Sequence, residues 1–210
     1  MTSALEALRR LREGNQRFAS GAPAFDAGSD LTRRQVLTTG QRPFAIILGC
    51  SDSRVPAELV FDQGLGDLFV IRVAGNIVAP SQVGSVEFAA DQFGTRLVVV
   101  MGHSQCGAVI ATVRELTDPG GQGSPNIRAI VDRIRPSVES LQATSPTLDG
   151  DALVANAVRA NVRTSVDHLR HGSTLLEELI ATKGLLVVGA EYSLETGLVD
   201  FFYGAPGTAS

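Results

Sequence analysis

The sequence contains no apolar run long enough to cross a membrane. A transmembrane helix needs about 20 consecutive apolar residues, and no stretch of this 210-residue chain approaches that length. The first residues, Met1-Thr2-Ser3, lead into charged amphipathic sequence instead of the apolar core of a secretory signal. We therefore expect a cytoplasmic protein without a membrane partner.

The chain also lacks an excess of basic charge. Its formal net charge is −4 and its isoelectric point is about 5.4. Proteins that bind nucleic acid or anionic membrane surfaces carry basic stripes or polybasic patches. The charge balance therefore argues against both classes of partner.

Cysteine is scarce, and both cysteines stand in short polar motifs. Cys50 opens the sequence CSDSR, and Cys106 closes the sequence HSQC, which His103 opens. Cysteines in general are commonly buried apolar residues or disulfides. Two thiolates and one imidazole, however, form a zinc-type ligand set that leaves the fourth tetrahedral position open to water or a nearby carboxylate. The motifs predict one catalytic zinc ion per chain, held by Cys50, His103 and Cys106.

Each motif follows an apolar run that is typical of a buried strand. The run FAIIL at 44–48 precedes Cys50, and LVVVM at 97–101 precedes His103. Such runs, separated by helical segments, indicate a parallel sheet covered on both faces. Ligands collect beyond the carboxyl ends of the strands in such sheets, so we expect the two motifs to meet there.

The remaining pattern predicts an α/β fold in a single domain, residues 1–210. Its centre is a mainly parallel sheet of about four strands plus an edge strand, flanked by helices. Strands are predicted near 44–49, 68–74, 97–102, 185–190 and 198–202. Helices are predicted near 3–19, 30–39, 82–93, 107–117, 126–143 and 151–182, and loops at 20–30 and 118–125.

The first helix has a capping box in Ser3 and Glu6 and an amphipathic pattern up to Phe18. Because a loop follows it, we expect residues 1–40 to form an extended helical arm that leaves the chain's own core.

Five segments together resemble the β-class carbonic anhydrases. They are CSDSRV at 50–55, GHSQCGA at 102–108, EGNQRF at 13–18, QRP at 41–43 and IRVAGN at 71–76. The resemblance covers nearly the whole chain and is weaker between residues 117 and 151. It implies a zinc enzyme that interconverts carbon dioxide and bicarbonate, and a homodimer or tetramer in which the arm wraps a second subunit.

Asp52 and Arg54 flank the first predicted ligand. Asp52 could bind zinc as a fourth ligand in a closed form, or accept a hydrogen bond from water in the fourth position. Pairing with Arg54 through charge-assisted hydrogen bonds would hold Asp52 off the metal. In an arbitrary sequence such a pair is a solvated surface contact, but the adjacent Cys50 favours the catalytic interpretation.

The resemblance also assigns substrate-binding residues. Gln41 would be a hydrogen-bond donor that reaches across a dimer interface, and Phe69, Ala74 and Phe88 would line an apolar pocket for carbon dioxide. Gly107 would offer a backbone N–H. Core packing is the alternative for the apolar residues, and an exposed loop position is the alternative for Gln41.

One subgroup of the family closes its site when bicarbonate binds beside a tryptophan three residues before the first cysteine. Here that position is Ile47, and the chain contains no tryptophan, although Arg72 and Tyr192 occupy the positions of the other bicarbonate partners. The resemblance therefore implies an open, type I-like site.

Two alternative functions remain open, and one further histidine pair could in principle bind a metal ion. The same scaffold could hydrolyse carbonyl sulfide or carbon disulfide, or the chain could be a non-enzymatic zinc-dependent bicarbonate-binding protein, which the presence of Asp52 and Arg54 disfavours. His168 and His171 have helical spacing, but polar neighbours and the lack of a third ligand indicate solvated side chains.

Overall fold

The computed structural model describes residues 2–24, 31–117 and 124–207. The strands are β1 (Ala45–Gly49), β2 (Leu68–Arg72), β3 (Leu97–His103), β4 (Leu186–Tyr192) and β5 (Val199–Tyr203). They form one five-stranded sheet in the order β2-β1-β3-β4-β5. The first four are parallel, and β5 runs antiparallel to β4. The predicted fold class is confirmed, and each strand lies within two residues of its predicted bounds.

The helices surround this sheet. They are α1 (Ala4–Ala19), α2 (Leu31–Val36), α3 (Ala57–Val60), α4 (Pro80–Gln92), α5 (Gly107–Thr117), α6 (Pro125–Thr144), α7 (Gly150–His171) and α8 (Thr174–Lys183). Single 3-10 turns follow α2 at Leu37–Thr39 and β2 at Ala74–Asn76. The sequence pattern predicted neither α3 nor the second of these turns, because both are too short to show a periodicity. No helix in the described part of the chain is long and apolar enough to cross a membrane.

The apolar strands are buried on both faces, as their unbroken hydrophobic runs predict. Every residue of β1 and β3 is buried. One face packs with α1 and α3, and the other packs with α4, α7 and α8. A third apolar cluster lies beyond the strands, where α5, α6 and α7 enclose Cys50 and Cys106. The two cysteines therefore lie in a region of low polarity at one edge of the sheet.

The first helix begins as predicted but packs differently. Ser3 caps α1, since its hydroxyl accepts a hydrogen bond from the Glu6 N–H at 3.2 Å. The apolar stripe of α1, including Leu8 and Leu11, is buried in the chain's own core. The expectation that this helix leaves its core is therefore wrong: an amphipathic pattern shows that a helix has an apolar face and does not say what covers it. Among the α-helices of the described residues, α2 alone has no buried residue.

The predicted helix 151–182 is two helices. Gly172 ends α7, and Ser173 adopts an extended backbone conformation before α8. The Ser173 hydroxyl accepts from the Leu176 N–H at 3.2 Å, which caps α8, and it donates to Glu87 on α4 at 2.5 Å. The break is thus fixed by a cap and by a tertiary contact. The loops predicted at 20–30 and 118–125 fall largely outside the described residues.

Candidate active site

The three predicted ligand residues converge at the carboxyl edge of the sheet. Cys50 directly follows β1, His103 ends β3, and Cys106 directly precedes α5; β1 and β3 are parallel neighbours. The two sulfur atoms and a ring nitrogen of His103 all lie within 4.8 Å of one another. Among the described residues, this is the one group of three or more His, Cys, Asp or Glu side chains arranged to hold a metal ion. The convergence of these three side chains at the strand ends, which the sequence predicted, is therefore confirmed.

The orientation of His103 would suit a metal ligand. Its side chain is fully buried, and its Nδ1 lies 2.9 Å from the Ser104 carbonyl oxygen. A proton on Nδ1 donates to that carbonyl and leaves the lone pair on Nε2. Nε2 is buried and has no hydrogen-bond partner within the described chain, which is a costly arrangement for a polar atom. A zinc ion between Nε2 and the two sulfurs would satisfy it, and the donor set fits that metal.

The two cysteines form a coupled pair of thiols. Both are buried and neither is in a disulfide. The pKa of the Cys50 thiol is lowered, first because the Cys106 thiol donates a hydrogen bond to its sulfur, with smaller contributions from His103 and the Gly75 N–H. The pKa of Cys106 is raised because its proton is held by Cys50 and because it is buried. The two thiols are thus close enough to share a hydrogen bond, and a cation bound between them would displace their protons.

The backbone around Cys50 is held from two sides. Arg72 donates through Nε to the Cys50 carbonyl at 2.9 Å and through Nη2 to the Asp52 carbonyl at 2.5 Å. The Gly75 N–H lies 3.4 Å from the Cys50 sulfur. The resemblance gave Arg72 a different role, and it gave Gly75 none. Both lie in the segment 71–76, but only the tertiary structure shows what they contact.

Gly75 has no room for a side chain. Its φ is +69°, a conformation that favours glycine, and a Cβ atom there would lie 2.7 Å from the Ile134 Cδ1 atom and 3.1 Å from the Ala108 Cβ atom. The absence of a side chain therefore allows the backbone to approach the sulfur.

Asp52 and Arg54 form a paired contact beside the cluster of Cys50, His103 and Cys106. Arg54 donates from Nε to Oδ1 at 2.9 Å and from Nη2 to Oδ2 at 2.7 Å, and its backbone N–H donates to Oδ1 at 3.0 Å. Oδ2 also lies 3.8 Å from His103 Nε2. The Arg54 guanidinium holds the pKa of the Asp52 carboxyl well below its usual range. The structure thus places an ionised carboxylate next to the ligand cluster, with both of its oxygens on Arg54.

The five predicted substrate-binding residues separate into two groups. Ala74 directly precedes Gly75, and Gly107 directly follows Cys106 as the first residue of α5, so both lie at the ligand cluster. Gln41 precedes β1 and lies at its other end. The five residues of β1 span about 17 Å at the ordinary rise of a strand. Gln41 therefore does not reach the cysteines of its own chain.

Phe69 and Phe88 lie, like Gln41, away from the cysteines of the same chain. Their ring centroids lie 6.3 Å apart with the rings tilted by 39°, and the centroids lie 6.0 and 5.5 Å from the ring centroid of Phe93. Phe93 lines a surface cleft of about 810 Å³ together with Gln41. Phe88 is 53% exposed even though it takes part in this aromatic cluster. Phe93 thus connects Phe69 and Phe88 to the cleft that contains Gln41.

The other residues singled out in the sequence lie apart from the ligands. Ile47 is fully buried in β1 and shares a core cluster with Tyr192. His168 and His171 are exposed on α7 and are not part of the ligand group.

Comparison with known proteins agrees with these features. The family model for carbonic anhydrase matches residues 45–199, which include β1 through the start of β5 and all three ligand residues. Carbonic anhydrase 2 of Mycobacterium tuberculosis is 39% identical over 199 residues, which cover 93% of this chain and 91% of the relative. A carbonic anhydrase of Mycolicibacterium smegmatis is 39% identical over 194 residues, which cover 92% and 91%.

Among solved structures, the β-carbonic anhydrase CafA of Aspergillus fumigatus superposes with a TM-score of 0.74 at 26% identity, over 95% of this chain and 90% of that one. Sequence, fold and the arrangement of the cysteines and histidine thus agree, and the chain belongs to the β class of the carbonic anhydrase family of enzymes.

Proposed function

We propose that this carbonic anhydrase uses one zinc ion, held by Cys50, His103 and Cys106, to interconvert carbon dioxide and bicarbonate. One observation carries the proposal: the buried Nε2 of His103, which has no hydrogen-bond partner among the described residues, lies close to two cysteine sulfurs, and an ionised Asp52 lies beside them. When bound there, zinc would supply the Lewis acidity that makes water nucleophilic near neutral pH. Two thiolates would balance the charge of the cation within an otherwise apolar region.

Asp52 and Arg54 orient the reacting water. Asp52 accepts a hydrogen bond from that water and directs a lone pair toward the carbon of the substrate. Because Arg54 keeps the carboxyl ionised, Asp52 acts as a fixed acceptor and does not store the proton that the reaction releases. The double hydrogen bond with Arg54 also holds the carboxylate in one orientation. We therefore propose the open form, with Asp52 held off the metal.

We further propose that two copies of the chain share each site. Gln41, Phe69 and Phe88 lie at the opposite end of the sheet from the cysteines, and carbon dioxide requires a mostly apolar pocket with a donor to orient it. A twofold dimer can place this surface of one copy over the cysteines of the other. The exposed apolar side chains Leu31 and Val36 on α2 are available for the same interface. The part of residues 1–40 that follows α1 would therefore act in dimerisation.

We place the protein in the cytoplasm, where a reducing environment keeps Cys50 and Cys106 available as metal ligands.

Stopped-flow measurement of carbon dioxide hydration by the zinc-loaded protein tests the proposed function. Hydration that requires zinc, measured beside metal-stripped protein, is the expected result. Turnover of carbonyl sulfide is measured in parallel. A protein that turns over carbonyl sulfide but not carbon dioxide, or that binds zinc and bicarbonate without turnover of either, contradicts the proposal.

A further inference from the structure

Two buried polar residues of α7 contact the loop that carries Gly75. Asn161 donates through Nδ2 to the Gly75 carbonyl at 2.8 Å, and Ser165 donates through Oγ to the Asn76 carbonyl at 3.1 Å. The two residues are 2% and 4% exposed. They are four positions apart, so they lie on the same face of the helix. One turn of α7 thus holds two consecutive carbonyls of the loop.

These residues are unusual on their face of the helix. Their neighbours Ala157, Val158, Val162 and Val166 are buried and apolar. Placing an amide and a hydroxyl in such surroundings costs free energy unless each is hydrogen-bonded. Both side chains donate their hydrogen bond to the loop that contacts the proposed metal site. This location suggests a role beyond packing.

The loop needs such an anchor because Gly75 has no side chain to restrict it. Glycine adopts many backbone conformations at little cost. The N–H of Gly75 contacts the Cys50 sulfur at 3.4 Å, and its carbonyl is the group that Asn161 holds. The Gly75 carbonyl belongs to the peptide that follows Gly75, and the N–H belongs to the peptide that precedes it. The bond from α7 therefore restrains the N–H through the two backbone angles of Gly75.

We propose that Asn161, assisted by Ser165, is a positioning residue of the metal centre. By holding the peptide that follows Gly75, it limits the backbone rotations that would turn the Gly75 N–H away from the Cys50 sulfur, and this hydrogen bond withdraws charge from the thiolate. A thiolate that gives less charge to the metal leaves the metal a stronger Lewis acid, and outer partners of metal ligands commonly act in this way. The inference rests on the proposed metal site and adds two residues to it.

Cobalt substitution tests this inference, because the thiolate-to-cobalt charge-transfer band reports the charge on sulfur. Asn161→Leu removes the donor at similar volume, and Ser165→Ala removes the hydroxyl. Ser137→Ala is the matched control, because Ser137 is also 4% exposed and bonds from α6 to Thr164 on α7 at 2.9 Å, away from the loop. We expect the band to move to longer wavelength in Asn161→Leu, to move less in Ser165→Ala, and to stay in place in Ser137→Ala.

Chelator competition gives a second readout. Affinity for zinc should fall by about tenfold in Asn161→Leu, and Ser165→Thr, which keeps the hydroxyl, should restore the position of the band. If Asn161→Leu does not fold, the band positions of Ser165→Ala and Ser137→Ala are compared instead, and an equal position in the two variants contradicts the inference. An unmoved band in cobalt-loaded variants, with only a loss of folding stability, would show that these residues stabilise the fold and nothing more. A wild-type protein that binds no cobalt would instead overturn the proposed metal site and this inference together.

Discussion

Asn15 and Val199 are joined by a hydrogen bond of 2.8 Å across 184 residues of sequence, from the Val199 N–H to the Asn15 Oδ1 atom. The same buried amide donates through Nδ2 to the carbonyls of Val60 and Gly197, at 3.1 and 2.8 Å. One side chain therefore ties α1 to the end of α3 and to the turn that leads into β5.

Asn15→Ala should lower the free energy of unfolding by about 2–4 kcal/mol, because it leaves buried backbone groups without partners. Urea denaturation followed by circular dichroism measures this loss. Asn156→Ala is the control: Asn156 is exposed on α7, and its side chain donates to the Ala152 carbonyl of its own helix. Equal stability of the two variants would contradict the tethering role of Asn15.

Cys106→Ser should remove most of the zinc and most of the activity, because a serine hydroxyl is a poor replacement for a thiolate ligand. Metal analysis of the purified protein measures the zinc content. The double variant His168→Ala/His171→Ala should keep a full complement of zinc, since both side chains are exposed and outside the ligand group. Full zinc occupancy in Cys106→Ser would rule out the ligand assignment.

Asp52→Ala and Arg54→Ala should each keep zinc and lose about 10- to 100-fold in activity, the usual range for residues that support a metal site from outside the ligand set. Metal content and stopped-flow rates are measured on the same samples. Arg9→Ala serves as the comparison, because Arg9 pairs with Glu6 and Glu13 at the surface, far from the cysteines in the sequence. Wild-type turnover in either site variant would show that the Asp52–Arg54 pair is only a surface contact.

Two inactive variants should rescue each other if subunits share a site. Gln41→Ala damages one half of each site and Cys106→Ser damages the other half, so a mixed dimer contains one intact site and one doubly altered site. Random mixing should restore activity in about a quarter of the sites, as twofold symmetry requires. The rates before and after unfolding and refolding the mixture together measure the rescue. Activity that stays at the average of the two single variants would show that Gln41 acts within its own chain or not at all.

Hydration should not fall cooperatively as bicarbonate rises near neutral pH. Ile47 has no hydrogen-bond donor in its side chain, and two nitrogens of Arg72 already donate to the Cys50 and Asp52 carbonyls. Initial rates at increasing bicarbonate, at constant ionic strength, measure the effect. A sigmoidal loss of activity, or a crystal structure near neutral pH with Asp52 bound to zinc in every subunit, would overturn the open form.

The sequence predicted the strands best where every residue of a segment is apolar. Unbroken β-branched runs identified β1 and β3 to within one residue, because strands buried on both faces require apolar side chains at every position. The positions of Cys50 and His103 then followed from the geometry of a parallel sheet. The roles proposed for Asp52 and Arg54 rest on the resemblance, and the structure shows that the two side chains are paired.

The features that sequence reasoning missed depend on contacts between distant segments. A lone glycine before Ser173 did not reveal the break between α7 and α8, because the contact with Glu87 lies 86 residues away. The apolar stripe of α1 did not identify the surface that covers it. The hydrogen bond from Asn161 to Gly75 also spans 86 residues, and a buried asparagine on an otherwise apolar helix face is the signal that could have pointed to it.

The separation of Gln41 from Cys50 along β1 has a consequence for how this enzyme would respond to its own abundance. A buried strand is a rigid spacer, so no hinge within the folded chain can bring its two ends together. If each site draws on two copies, activity per molecule depends on protein concentration and falls steeply once dilution passes the dissociation constant of the dimer. A cell that makes little of this chain would then have less activity per copy as well as fewer copies.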